Sequence, residues 1–350
     1  MMQPSDSTAK RDRLLLRAGL VTLVLLYLVI VAGSVVRASG SGMGCPDWPK
    51  CFGFYIPPTD PSQLDYHPGE AYEKGRMVIV NDTLWRAPSA FTGASEFTRS
   101  QWEKYPAHDY AKFVVYQTWV EYINRLIGAL SGFGMLIMLA IALTRFKRDK
   151  ATVFWLLLGM VVLGYIAWLG KVVVDNNLAP LKITMHMLSA LAIVAIVLVV
   201  NNRIRKQAYA ETPAVTGNML WFGLTFLLLL TLAQITVGTQ VRQEVDTLYK
   251  LTGNTGRDTW TSQLSGTYSI HQLLALVVVA LNGMLYWMLR RFASLKRAAA
   301  AIILLLLAEY GIGVILHRAG LPAALQPLHV VLATVVFGVQ FWLLLRMKRG

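Results

Sequence analysis

Charge is scarce in this chain. Only 15% of its 350 residues are charged, while 55% are hydrophobic. An ordinary soluble domain carries about 25% charged residues, so a soluble globule is excluded. Cysteine is scarcer: Cys45 and Cys51 are the only two, and the six histidines are spread along the chain. No Cys/His group converges on the three or four ligands that zinc requires. The first residues lack the short apolar core and small-residue cleavage site of a signal peptide, so the first apolar run reads as an uncleaved helix. No extended Arg/Ser-rich transit segment precedes it either, which favours a bacterial plasma membrane over an organelle.

What the chain has in quantity is apolar runs of about 20 residues, each long enough to cross a bilayer core. Eight spans are expected, at roughly 14–36, 113–143, 152–173, 182–201, 217–240, 268–289, 298–316 and 324–345. The formal charge of +14 does not point to nucleic acid, because of where the charge lies. More than half of the 33 Lys and Arg fall in Lys10–Arg17, Arg145–Lys150, Arg203–Lys206, Arg290–Arg297 and Arg346–Arg349. These clusters sit at both ends of the chain and after every second span, the positive-inside pattern, so both termini are expected to be cytoplasmic. The fold expected is an all-α membrane protein whose eight helices form two pseudo-repeated four-helix bundles. The first is 1–205, with a long external loop at 37–112, and the second is 206–350.

The repeat is organised around Trp119–Leu130, where Glu121, Asn124 and Arg125 interrupt an apolar segment. Their spacings of three and four put them on one helix face, which lipid would not tolerate. Ser269–Leu276 overlays Tyr122–Ala129, with His271 falling where Asn124 stands. Depth can be counted from the basic residue that ends each span. Asn124 lies 21 residues before Arg145 and His271 lies 19 before Arg290; His186 and His329 each lie 17 before Arg203 and Arg346. All four therefore lie near the outer end of the membrane, on the even-numbered spans. A lone histidine in an apolar helix is more often a hydrogen-bonded interior residue. A pair matched in depth, His271 and His329, instead suits axial ligation of a heme iron. His317 beside Arg318 reads as interfacial, and Glu309 as a neutral hydrogen-bonding residue near the bilayer middle. Glu121 reads as a carboxylate able to exchange protons with the outer side, the alternative being an ion pair with Arg125.

The external loop carries Cys45 and Cys51 on the oxidising side, where a short disulfide is expected. Its later stretch, Ser95–Lys112, suggests short helices lying on the membrane surface. His67 and His108 in this loop read as solvated.

Taken together, Gly40-Ser41-Gly42-Met43-Gly44-Cys45-Pro46-Asp47-Trp48-Pro49 and Glu121–Arg125 make the chain resemble the heme A synthase family over nearly its whole length. That resemblance implies oxidation of a methyl group of heme O to the formyl group of heme A, for terminal oxidase biogenesis. It implies a heme B cofactor between His271 and His329. It also implies a substrate heme site in the first half, with His186 as ligand, Glu121 as the catalytic carboxylate and Arg125 toward a heme propionate. A heme O synthase would supply the substrate and a terminal oxidase would receive the product. The family motif there is Glu-x-x-His-Arg, and this chain has Asn124 in place of the histidine. Asn is a poor iron ligand, so the substrate iron would keep an open position. The second half also lacks the outer cysteine pair that some members carry. The rival class is a non-catalytic heme-binding electron carrier or oxidase assembly factor, for which an acid beside the substrate iron would have no use. A transporter would need broken helices with convergent polar groups, which are missing. The electron donor and the oligomeric state, a homo-oligomer included, stay open at this point.

Overall fold

The computed structural model describes residues 6–105, 113–175, 180–209, 215–253 and 255–349. Eight helices in it are long and apolar enough to span a membrane. In hydrocarbon every backbone N–H and C=O needs an internal partner, and an uninterrupted apolar run meets that need as helix.

The chain begins with α1 (Asp6–Ala38) and then enters the long loop that follows it. The loop folds as short strands: β1 (Ala71–Tyr72), β2 (Met77–Val80), β3 (Thr83–Arg86), β4 (Phe91–Thr92) and β5 (Glu103–Lys104). Strands β2 and β3 form a hairpin closed by Asn81 and Asp82, both at positive φ, the backbone of a type I′ turn. β5 adds to β3 and β1 pairs with β4. Membrane-surface helices were expected for Ser95–Lys112. Residues 95–105 instead contain only a 3₁₀ turn and β5, and the remainder, His108 included, lies outside the described residues. The reason is aromatic packing: Trp102 is buried against Tyr66, Tyr72, Phe91 and Phe97, so this stretch folds onto its own small core.

After the loop come α2 (Val115–Leu143), α3 (Lys150–Asp175) and α4 (Pro180–Tyr209), then β6 (Val215–Thr216). The second set is α5 (Asn218–Thr252), the short α6 (Trp260–Gln263), α7 (Gly266–Leu289), α8 (Ala293–Arg318) and α9 (Leu325–Arg346), ending in β7 (Met347–Lys348). α5 continues about three turns beyond its expected end, carrying Arg242 and Asp246. No Pro or Gly interrupts it after Gly238 until Gly253, whose positive φ ends it in the usual glycine manner.

In the first set α1 packs on α2 and α4, and α3 also packs on both, so α2 and α4 stand diagonally. In the second set α5 and α8 each pack on α7 and α9, which leaves α7 and α9 on the diagonal. Each set has its own apolar core, one around Met135, Met138, Leu156 and Val197, the other around Leu224, Leu285, Ile302 and Val336. The sets meet where α1 and α4 lie against α9. There the Tyr27 hydroxyl donates to the Thr334 carbonyl at 3.2 Å and fills the space that a side chain at Gly338 would take. At the basic end, buried Asp12 pairs with Arg145 at 2.8 Å and Asp149 pairs with Arg203 at 2.8 Å. Part of the Arg145–Lys150 and Arg203–Lys206 clusters is thus neutralised within the protein.

Candidate functional site

On α2, Thr118, Glu121 and Arg125 share one face and hold the cysteine loop. Gly44 lies against the backbone of Gln117 and Thr118, so close that a Cβ there would fall 2.5 Å from the Gln117 carbonyl oxygen. Cys45 donates its backbone N–H to Glu121 Oε2 at 2.8 Å, and Thr118 donates its hydroxyl to the Gly44 carbonyl at 2.8 Å. Arg125 Nη2 donates to Glu121 Oε1 at 2.5 Å and to the Cys45 carbonyl at 3.2 Å. Its Nη1 donates to the carbonyls of Asp47 (2.7 Å) and Lys50 (3.1 Å). Cys45 and Cys51 are bonded to each other, with Cα atoms 4.7 Å apart. Within this loop Asp47 accepts the N–H groups of Phe52 and Gly53. Burial pushes the Asp47 carboxyl up, against the opposing pull of those two N–H groups and of Arg125. Glu121 is only 4% exposed. Each of its carboxylate oxygens accepts a hydrogen bond, and the contact with Arg125 matches the ion-paired alternative of the two sequence readings.

The four ligand-depth positions share one local device: each faces a glycine on the preceding long helix. A Cβ at Gly33 would meet Asn124 Oδ1 at 3.6 Å, and one at Gly170 would meet His186 Nε2 at 3.7 Å. At Gly238 it would meet His271 Cε1 at 3.0 Å, and at Gly313 His329 Cε1 at 3.5 Å. The missing side chains leave each polar group room on the interior side of its helix.

Across the second bundle His271 of α7 and His329 of α9 approach to 6.3 Å between ring centroids, with the planes at 78°. Two imidazoles sharing one metal ion, each at about 2 Å, would stand about 6 Å apart by ring centre. Among the described residues neither buried Nδ1 makes a regular hydrogen bond, although the backbone of Gln234 lies beside His271 and that of Glu309 beside His329. The spacing of the rings thus fits one shared iron. Gln234, one turn inward of Gly238, donates to the His271 carbonyl at 3.1 Å. Glu309 takes the matching place before Gly313 and is half-buried.

In the first bundle Asn124 Oδ1 is likewise buried and unpartnered, and His186 lies on the helix diagonal to it. The outlying histidines sit apart from these pairs. His317 is exposed and shares a hydrogen bond with the Tyr268 hydroxyl at 2.8 Å, and His67 is exposed and bonded to the Ser62 carbonyl.

A family model described as cytochrome oxidase assembly protein, COX15-CtaA, matches residues 17–80 and 89–341. The chain belongs to that family. A Heme A synthase from Shewanella oneidensis is 26% identical over 218 residues, covering 62% of this chain and 54% of that protein. The chain thus spans about half the length of this curated relative.

In this COX15-CtaA member one polar group escaped the sequence reading. Arg37 and Arg242 meet on Asp246 at the junction between the bundles, at the end away from the Asp12–Arg145 pair. The signal was present: Gly33-Ser34-Val35-Val36-Arg37 and Gly238-Thr239-Gln240-Val241-Arg242 are the same short motif in α1 and α5.

Proposed function

We propose that this chain is a membrane oxidoreductase that converts the methyl group of heme O to the formyl group of heme A for a terminal oxidase. It would act in a bacterial plasma membrane, with both termini cytoplasmic and the halves 1–205 and 206–350 serving separate heme sites. The single observation that carries the reading is the His271–His329 pair, spaced for one shared iron and backed by Gly238 and Gly313. Those residues would hold heme B, which supplies electron transfer when bound. The recurrence of the glycine-backed position in all four helix pairs supports two related halves.

In the first half His186 would hold the substrate heme, while Asn124 leaves the other side of its iron open. The carboxylate of Glu121, fixed by Cys45 N–H and Arg125, is suited to stabilising positive charge that develops near the heme edge. With a donor on each oxygen it is poorly placed to shuttle protons, so charge stabilisation is the role assigned to it. The disulfide loop, seated on the outer turns of α2, would exclude water from that edge.

Expression of the protein beside a heme O source, with extraction and identification of the accumulated hemes, should yield heme A. If none forms with both heme sites filled and an electron donor supplied, the carrier or assembly-factor reading takes its place. Asn124→His should be accommodated, because Gly33 leaves space beside the side chain. The expected result is a substrate heme moved from high-spin toward low-spin with conversion reduced; an unchanged spectrum would place Asn124 away from the iron.

A further inference from the structure

The junction between the bundles gathers more positive charge than it neutralises. Arg37 of α1 donates Nε and Nη2 to Asp246 Oδ2 at 2.9 and 2.6 Å. Arg242 of α5 pairs with Asp246 Oδ1 at 2.7 Å, donates to the Arg37 carbonyl at 3.2 Å and bonds the Gln326 side chain. Two guanidinium groups thus face one carboxylate, with each of the three side chains between 20% and 23% exposed. Arg257 adds a further charge near Arg242; its guanidinium lies over the Trp260 ring at 5.0 Å, and its buried Nε has no hydrogen-bond partner among the described residues. Arg37 Nη1 has no partner among the described residues. A largely buried cationic surplus of this kind calls for an anion.

The position of the surplus indicates which anion. Arg37 lies one helical turn outward from Gly33, which faces Asn124, and Arg242 lies one turn outward from Gly238, which faces His271. Gln326, bonded to Arg242, lies three residues before His329 on α9. Each bundle therefore presents one arginine on the outer side of its ligand position. A groove of about 650 Å³ runs along the junction, lined among others by Val35, Ser39, Pro327 and Leu328. Arg125, the arginine that the family resemblance directs toward a propionate, has both terminal nitrogens engaged by the cysteine loop and Glu121.

We propose that Arg37 and Arg242 form a carboxylate-receiving pair that binds the acid side chains of the tetrapyrroles, with Asp246 as the counter-ion they share. Guanidinium forks suit carboxylates because they donate two parallel hydrogen bonds. The inference rests on the heme reading above. A lipid phosphate is the other anion available at this depth, and the test separates the two.

The full-length protein, stripped of heme, is titrated with heme B and with its dimethyl ester, and binding is followed optically. The wild type should prefer the free acid by about ten-fold or more, the size of one charge-assisted hydrogen bond. Arg37→Gln and Arg242→Gln should each lower that preference, and together remove it. Asp246→Asn should raise it, because a competing carboxylate is gone. A merely structural ion-pair cluster predicts the opposite pattern, in which Asp246→Asn damages binding as much as the arginine variants do. Equal affinity of the wild type for acid and ester would overturn the proposal while leaving the heme reading intact. Binding of neither compound would sink both.

Discussion

His271→Ala and His329→Ala should each abolish the low-spin spectrum of the second-half heme, not merely weaken it. A low-spin iron in this site needs a strong ligand on both sides, and the two rings stand at the spacing that one iron requires. No other histidine takes over: His317 is exposed and bonded to Tyr268, and among the described residues no group of three or more His, Cys, Asp or Glu converges. Removing one ring should leave a space bounded by Gly238 or Gly313. Added imidazole should enter that space and restore the low-spin bands, which a variant that had simply unfolded would not show. His186→Ala should leave those bands in place. Should both alanine variants keep the low-spin spectrum, the ligand assignment is wrong.

The eight spans were legible because lipid imposes one rule on every backbone group, and a long apolar run has a single way to meet it. Depth was legible for the same reason. Counting back from Arg290 and Arg346 placed His271 and His329 together without tertiary information, since helical rise is constant. The Cys45–Cys51 bond was legible from two cysteines close together in a short loop that the charge pattern assigns to the oxidising side. The loop fold beyond it was not. Its strands are two to four residues long, and its core joins Tyr66 and Tyr72 to Phe97 and Trp102, contacts that no local periodicity announces. Arg125 was read correctly as facing inward, yet besides Glu121 its partners are backbone carbonyls some 75 to 80 residues away, and carbonyls leave no trace in composition. The Arg37–Asp246–Arg242 cluster fell between two readings. Its arginines lie at the ends of spans, where positive residues are ordinary, and only the repeated Gly-x-x-Val-Arg marks them as a pair.

Glu121→Gln should reduce conversion of heme O to heme A by at least about a hundred-fold while leaving the second-half heme in place. Two effects combine in that figure. The neutral amide loses the charge that faces the reacting edge, and removing one preorganised charge of this kind typically costs about 10²–10³ in rate. It also strips Arg125 of the Glu121 carboxylate, and breaking a buried ion pair costs about 3–5 kcal/mol. Arg125 keeps three loop carbonyls as acceptors and is 17% exposed, so the structural part should fall toward the low end. A double variant separates the two effects. Glu121→Gln with Arg125→Gln removes the unpaired cation and should recover thermal stability relative to Glu121→Gln alone. If Glu121 acts through its charge at the substrate, stability returns and conversion does not. If its task is only to seat the Cys45–Cys51 loop through Arg125, the double variant should recover conversion along with stability, and the charge-stabilising role assigned to Glu121 would have to be abandoned.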